Sequence, residues 1–448
     1  MKSCRPWFCA VFCLGLTAVW AQQNQRAPHI GYVYPAGGQQ GTSFQVIVGG
    51  QNLGAISNAY VTGIGVRAVV AKVTRPLNQK QINELRERLM ELQKLPRQPD
   101  TIKEIAAIRE KLAGAMKKAP PAIADIVTLQ VTVEPDAPPT QRELRLGSPA
   151  ALTNPLVFQI GQVPEFREPE KKESLVVKLP ATINGQIMPG EVDRYRFTAA
   201  KGQSLLVSVQ ARALIPYLAD AVPGWFQATV ALFDATGKEL AYADDYRFMP
   251  DPVLFYRIPE DGEYTIEIKD SIYRGREDFV YRITVGELPF LTGVFPLGGK
   301  AKVSTPVELR GWNLTGYKIN IEPAEDVKIH ARLKGYISNL MPFVVDELPS
   351  ITEAETDQPE PVRLPLVING RINRPDDTDV FRFEGRANET IVAEVKARRL
   401  GSPLDSKLLL TDSAGRVIAI NDDSEDKGTG LNTHHADSYL TATLPANG

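Results

Sequence analysis

Pro28-His29-Ile30-Gly31-Tyr32-Val33-Tyr34-Pro35-Ala36-Gly37-Gly38 returns as Pro289-Phe290-Leu291-Thr292-Gly293-Val294-Phe295-Pro296-Leu297-Gly298-Gly299, an offset of 261 residues. The same offset carries Gly50-Gln51-Asn52-Leu53 onto Gly311-Trp312-Asn313-Leu314 without a gap. A second pair lies between and after these: Leu179-Pro180-Ala181-Thr182-Ile183-Asn184-Gly185-Gln186-Ile187 matches Leu364-Pro365-Leu366-Val367-Ile368-Asn369-Gly370-Arg371-Ile372. The chain is therefore an array of two modules in the order A-B-A-B. Enzymes are seldom built as two alternating repeats, so the pattern argues first for a binding or spacer protein.

Both modules read as strands. Phe44-Gln45-Val46-Ile47-Val48, Val307-Glu308-Leu309-Arg310, Tyr195-Arg196-Phe197 and Val380-Phe381-Arg382-Phe383 alternate, which places one face on a core and the other in water. Turn signals such as Ala235-Thr236-Gly237, Glu260-Asp261-Gly262 and Ser413-Ala414-Gly415 separate short strands at the spacing of antiparallel sandwiches. The expected fold class is mainly β: tandem β-sandwiches, immunoglobulin-like and jelly-roll-like, with one inserted α-helical hairpin. Ile82, Leu85, Leu89, Leu92 and Leu95, then Ile102, Ile105, Ile108, Leu112 and Met116, recur at three- and four-residue steps. Pro96 and Pro99 separate the two runs and Asp100 suits the cap of the second. The hairpin, about 77–118, interrupts the first A module, and strands resume at Ile126–Val133. The front of A repeats at 261 and its end, Asn154 and Phe158 against Asn339 and Phe343, at 185, so the first copy carries 76 extra residues. Its charged face (Arg86, Glu87, Glu91, Lys94, Lys103, Glu104) serves either a partner-binding arm or a solvated, packed insertion.

The modules are bounded as 27–163 (A), 164–288 (B), 289–348 (A) and 349–448 (B). Glu165–Glu173 and Glu353–Glu360 are charged and proline-bearing, and read as linkers or edge strands with few buried residues. The first B module runs past Pro259-Glu260-Asp261-Gly262 into two more strands, whereas the second stops at Pro445-Ala446-Asn447-Gly448. The chain is accordingly expected to be a fragment of a longer protein, with room for a catalytic domain past residue 448.

Lys2 and Arg5, the apolar run Trp7–Trp20 and the small residues around Ala21 read as a secretory signal, residues 1–21, with a retained anchor as the alternative. Cys4, Cys9 and Cys13 all lie inside it, so the exported chain carries no disulfide, thiolate metal site or cysteine nucleophile. Loss of Lys2 and Arg5 takes the 51 basic residues to 49 against 53 acidic, a net charge of −4. That balance gives no electrostatic case for nucleic acid, and no later apolar run is long enough to span a bilayer. A secreted, cell-surface or periplasmic location follows.

The A modules resemble bacterial TIG/IPT-type immunoglobulin-like domains in their aromatic-Pro-x-Gly-Gly opening, their Gly-x-Asn-Leu and the closing Thr153-Asn154 or Ser338-Asn339. The B modules resemble the bacterial pre-peptidase C-terminal domain in Ile368-Asn369-Gly370-Arg371-Ile372, Asp376-Asp377-Thr378-Asp379, Phe381 and Phe383, then Leu410–Gly415 and Asn421-Asp422-Asp423. The resemblance implies export and a non-catalytic binding or spacer role. Related domains accompany secreted peptidases, and others bind calcium and matrix. The partner it implies is a protein or polysaccharide of the cell surface or matrix. The alternative is the N-terminal accessory region of a longer secreted hydrolase such as a peptidase.

One acidic constellation suits a metal: Asp405, Asp422, Asp423 and Asp437, on strand ends and loops of the second B module. Calcium takes six to eight oxygens, which carboxylates and loop carbonyls supply. The first copy keeps Asp244, Asp245 and Asp251 but has Gln227 in place of Asp405, so its site is expected to be weaker. Against this, turn aspartates commonly cap loops. The adjacent His434 and His435 point to opposite faces if extended and read as a polar loop. No Gly-x-Ser-x-Gly, His-Glu-x-x-His or phosphate loop is present, so no enzyme is expected within these residues. Trp225, Phe226, Tyr242, Tyr246 and Phe248 serve either the sandwich core or a sugar- or partner-binding surface.

Overall fold

A computed structural model describes residues 27–77, 79–96, 98–116, 123–169, 175–215, 226–314, 317–354, 359–425 and 434–448. The expected signal segment and Trp225 lie outside the described residues. The chain divides into two compact units, one running to Gly286 and the other spanning Glu287–Gly448. The protein is mainly β, as tandem sandwiches with a helical hairpin.

The first unit opens with a sandwich whose strands are β1 (His29–Tyr34), β2 (Gly37–Gln39), β3 (Ser43–Gln51), β4 (Asn58–Val61), β5 (Val66–Thr74), β6 (Asp125–Val133), β7 (Gln141–Gly147) and β8 (Leu156–Gly161). One sheet has the order β1-β3-β6-β5 and the other β2-β8-β7-β4. Their inner faces bury Ile30, Val46, Val48, Leu129, Leu144, Leu146 and Phe158. Each repeated motif has a local task. A Cβ on Gly50 would lie 2.1 Å from the His29 carbonyl, and on Gly311 2.0 Å from that of Phe290, so only glycine lets the paired strands approach there. Asn52 and Asn313 take left-handed φ values of 58° and 54°. Their amides donate to the carbonyls of Ala27 and Leu288. Asn154 completes the edge of β1 by bonding both the N–H and the C=O of Ile30, at 2.7 and 2.9 Å. Asn339 does the same for Leu291, at 2.6 and 3.0 Å.

The hairpin joins β5 to β6 through α1 (Gln79–Lys94) and α2 (Pro99–Met116). Of its apolar stripes Leu92 and Ile108 are buried, whereas Leu95 and Ile102 are exposed, and Arg88 bridges to Glu104 at 3.0 Å. Helices are only part of the insertion. In the second A module the strand paired to Thr305–Trp312 is Tyr317–Ile321, which stands where β6 stands beside β3. Val327–Ile329 likewise stands where β7 does beside β8. The extra block therefore contributes β4 and β5 as well as the helices, one edge strand to each sheet.

The second sandwich comprises β9 (Glu165–Arg167), β10 (Leu175–Val176), β11 (Ala181–Gln186), β12 (Asp193–Ala199), β13 (Ser204–Gln210), β14 (Ala228–Asp234), β15 (Glu239–Ala243), β16 (Val253–Arg257), β17 (Gly262–Asp270) and β18 (Val280–Gly286). The sheets run β10-β12-β17-β14-β15 and β16-β13-β18-β11-β9. Tyr195, Phe197, Val207, Leu232, Ile266, Tyr281 and Ile283 fill the space between them. Tyr32, Ala36 and Val157 of the first sandwich pack with Leu214, Ile215 and Val280 of the second, so the two share an apolar seam.

In the second unit, Leu291, Val307, Leu309 and Phe343 form the A-type core. The following B-type segment repeats the pairings of its counterpart. Ser350–Thr352 lies parallel to Val367–Asn369 and Glu360–Pro361 parallel to Phe381–Arg382. Thr390–Glu394 pairs with Tyr439–Thr443, as β13 pairs with β16. The prolines of all four repeated motifs, Pro35, Pro180, Pro296 and Pro365, follow cis peptide bonds.

Candidate functional site

The four aspartates expected to hold calcium are dispersed in role. Asp437 is buried, and its carboxylate accepts the N–H groups of Ala397, Arg398 and Arg399 at 3.0, 2.6 and 3.1 Å. The Arg399 guanidinium adds a bond at 2.8 Å. Asp437 thus secures the single 3₁₀ turn Arg398–Leu400. Asp405 is solvent-facing, 4.0 Å from Arg398. Asp422 is exposed and Asp423 half-buried, and their backbone carbonyls accept from Ser438 and Asn421. The side chains of His434 and His435 lie outside the described residues; their backbone forms a short strand paired with Ser424–Glu425. Among the described residues no three His, Cys, Asp or Glu side chains converge as a metal-binding group.

The first copy shows why Asp437 is placed as it is. Asp251 accepts from Ala211, Arg212 and Ala213 at 3.1, 2.6 and 2.8 Å, the same three positions 186 residues earlier. The signal was present in the sequence as Ala211-Arg212-Ala213-Leu214 and Ala397-Arg398-Arg399-Leu400. The two carboxyls differ in charge environment. Burial pushes Asp251 above the usual carboxylate range despite its backbone donors. Burial acts on Asp437 too, but Arg399, which replaces Ala213, and the backbone donors hold it below that range.

A second acidic feature escaped the reading of Glu165–Glu173 as a charged linker with few buried residues. Glu165 belongs to edge strand β9, parallel to β11, and is drawn inside by Arg282. That arginine is buried, contacts Glu165 twice, at 2.9 and 2.8 Å, and reaches Asn184 at 2.7 Å. Asn184 returns a bond to Glu165 at 2.9 Å. A Cβ on Gly37 would fall 2.8 Å from the guanidinium carbon, so the first Gly-Gly motif makes room for this network where the two sandwiches meet.

Next to it, Glu168 accepts the Gln186 N–H at 3.0 Å and lies close to the Asp193 carboxyl. Tyr281 donates to Asp193 at 2.6 Å and is also bonded to the Tyr195 hydroxyl. Burial first, then the Asp193 and Glu191 charges, push the Glu168 carboxyl up to about 8. Two carboxyls held this close need a proton or a cation between them. Gly185 creates the space, since a Cβ there would lie 2.8 Å from Glu168 Oε2 and 2.1 Å from the Tyr281 hydroxyl. The arrangement repeats: a Cβ on Gly370 would lie 2.5 Å from Glu353 Oε2 and 3.3 Å from Asp379 Oδ2. Glu353 accepts the Arg371 N–H at 2.6 Å. In both copies the missing Cβ thus leaves room for two carboxyls, Glu168 and Asp193 in the first and Glu353 and Asp379 in the second.

The aromatic candidates divide. Phe226 is core, stacked on Phe279 with centroids 5.3 Å apart. Tyr242 and Phe248 are exposed, and Tyr246 is half-buried under Arg247, 5.2 Å from its ring centroid.

No known family model matches the chain. A stretch of 76 residues is 41% identical to a probable subtilase-type serine protease of Deinococcus radiodurans, covering 17% of this chain and 9% of the protease. The chain thus spans less than a tenth of that relative's length. Among solved structures, the pre-peptidase C-terminal domain of a Bacillus anthracis collagenase aligns at 16% identity over 26% of this chain and 99% of its own, with a TM-score of 0.20. The secreted serine protease VesC of Vibrio cholerae aligns at 10% identity over 60% of this chain and 51% of its own, with a TM-score of 0.17. Scores this low establish no common fold.

Proposed function

We propose that the chain is an exported, non-catalytic array of sandwiches that binds or spaces at a cell surface or in extracellular matrix. The observation that carries this reading is the use made of its reactive side chains. Arg282 and Asp437, which are buried, and Glu165 and Asp251, which are half-buried, are engaged in bonds that brace strands and turns. The repeated A and B motifs serve the same internal ends in both copies. On this reading the modules are TIG/IPT-like and pre-peptidase-C-like, and the unit of function is the braced A–B pair. The full chain is tested for retention on isolated bacterial envelopes and on matrix protein, and for peptidase activity with a serine-reactive fluorophosphonate probe. Retention without labelling is the expected result; labelling within these residues would defeat the reading.

The second reading, an accessory region of a longer secreted peptidase, is supported by the segment shared with the Deinococcus protease. It predicts that the chain alters where a peptidase acts without altering its turnover of a small peptide. Calcium belongs to either reading. Its candidate ligands are Asp405, Asp422, Asp423 and Asp437, of which Asp437 already accepts three backbone N–H groups and Arg399.

A further inference from the structure

One end of the second sandwich carries exposed aromatic and acidic side chains. Asp270 at the end of β17 pairs with Ala228 on β14, and Ala243 at the end of β15 pairs with Val230, so the turns following β15 and β17 leave the same end of one sheet. Two strand spacings separate them, about 10 Å. Each turn is held by a non-glycine residue in the left-handed region, Arg247 at φ 58° and Tyr273 at φ 60°. Such conformations cost energy and concentrate where a side chain must be presented. The Tyr246–Met249 turn is closed by reciprocal backbone bonds of 2.9 and 3.0 Å. Lys269 sits 5.4 Å from the Tyr273 ring centroid.

What these turns present is apolar and aromatic. Phe248 is 60% exposed, Ile272 67%, Tyr273 52%, and Tyr242 on the adjoining edge strand 51%. Side chains of this size are exposed together where something covers them. Asp244 and Asp245, which lie between Tyr242 and Phe248 in the chain, are both exposed. Gln227 and Ser271, bonded to each other at 3.3 Å, add an amide and a hydroxyl.

We infer that this end of the second sandwich, with Tyr242, Phe248 and Tyr273 as stacking platforms and Asp244 and Asp245 as acceptors, binds a neutral polysaccharide. The inference rests on the proposed binding role and names its ligand class and site. Sugar rings offer apolar C–H faces to aromatic rings and hydroxyl donors to carboxylates, the two chemistries that alternate here. Exposed carboxylates on the same turn disfavour anionic polymers and anionic lipid headgroups, and burying them in a dry protein interface would be costly.

The test is affinity electrophoresis of the full chain through gels containing laminarin, dextran, xyloglucan, galactomannan or, as the anionic comparison, alginate. Retardation by at least one neutral polymer is expected, with alginate weaker. The double variant Tyr242→Ala/Phe248→Ala should lose affinity tenfold or more, and Ile64→Ala, an exposed apolar change on the first sandwich, should lose none. Both variants alter exposed side chains, so unchanged melting temperatures certify the fold. Retardation that survives in the double variant, or that is strongest with alginate, overturns the inference and leaves the binding role standing. Retention on gelatin or envelopes without retardation by any neutral polymer overturns the ligand class alone. Binding to none of these overturns both.

Discussion

Replacing Glu168 by Gln should abolish a pH dependence that the wild-type first unit carries in metal-free buffer. The Glu168 carboxyl rises from an ordinary 4.5 to about 8 because it is buried against Asp193. Between those two values the folded chain keeps a proton that the unfolded chain has lost. Folding stability is therefore fully present below pH 4.5, falls as pH rises, and stops falling above about 8. At about 1.36 kcal/mol per pH unit the whole rise would reach ~5 kcal/mol, and relaxation of the coupled pair brings the expected loss to roughly 2–4 kcal/mol. Urea unfolding followed by circular dichroism, with EDTA present, measures it at intervals from pH 5 to 9. Gln186 donates equally well to an amide oxygen, so Glu168→Gln should match the wild type near pH 5 and exceed it at pH 9. Other groups titrate in both proteins and cancel in the difference. Parallel profiles for the two proteins would refute the account of a shared proton.

Arg282→Ala strands Glu165 in the seam between the first two sandwiches and should cost about 3–5 kcal/mol by urea denaturation, with Gly37→Ala acting in the same direction. Asp251→Ala and Asp437→Ala each leave three turn N–H groups without their acceptor and should cost about 2–4 kcal/mol. Arg399→Ala should raise the Asp437 carboxyl toward the range of Asp251, a change visible by NMR titration. In the second unit Arg371 bonds Glu308 at 2.9 Å and covers the Phe295 ring at 3.7 Å. Arg371 and Arg310 hold the Glu308 carboxyl down to about 2, so their contribution is present above pH 4.5 and lost as pH falls toward 2. The pair is part-exposed, so Arg371→Ala should cost only about 1 kcal/mol and the effect should shrink in salt. If the second unit takes calcium, adding it to EDTA-treated chain should raise the melting temperature, and Asp405→Asn/Asp422→Asn should remove the shift; an unchanged melting temperature would refute the calcium proposal.

The architecture was legible because each repeated motif performs a backbone task that few residues can perform. Gly50 and Gly311 admit a carbonyl where a Cβ would clash, and Asn154 and Asn339 imitate a neighbouring strand for β1 and its counterpart. Such demands survive divergence of everything around them, so copies can be aligned by eye. The hairpin was legible for a different reason, since a three-four spacing of Ile and Leu has no use in a strand. The site was less so. Asp437 was grouped with Asp405, Asp422 and Asp423 by type alone, and a carboxylate's donors come from residues about forty positions away. Glu165 and Glu168 were hidden because a charged run ordinarily faces water; only Arg282, over a hundred residues on, draws Glu165 inside. Asn184-Gly185 was noticed as a motif without its reason, which is that the missing Cβ houses a carboxyl pair.

The extra block in the first A module has an effect beyond the helices it carries. In the second A module, Tyr317–Ile321 and Val327–Ile329 have no outer neighbour in their sheets among the described residues, whereas β6 and β7 are flanked by β5 and β4. A bare strand edge offers a row of peptide donors and acceptors to any extended segment. The two A modules therefore differ in which strands carry that edge: β5 and β4 in the first, and among the described residues Tyr317–Ile321 and Val327–Ile329 in the second.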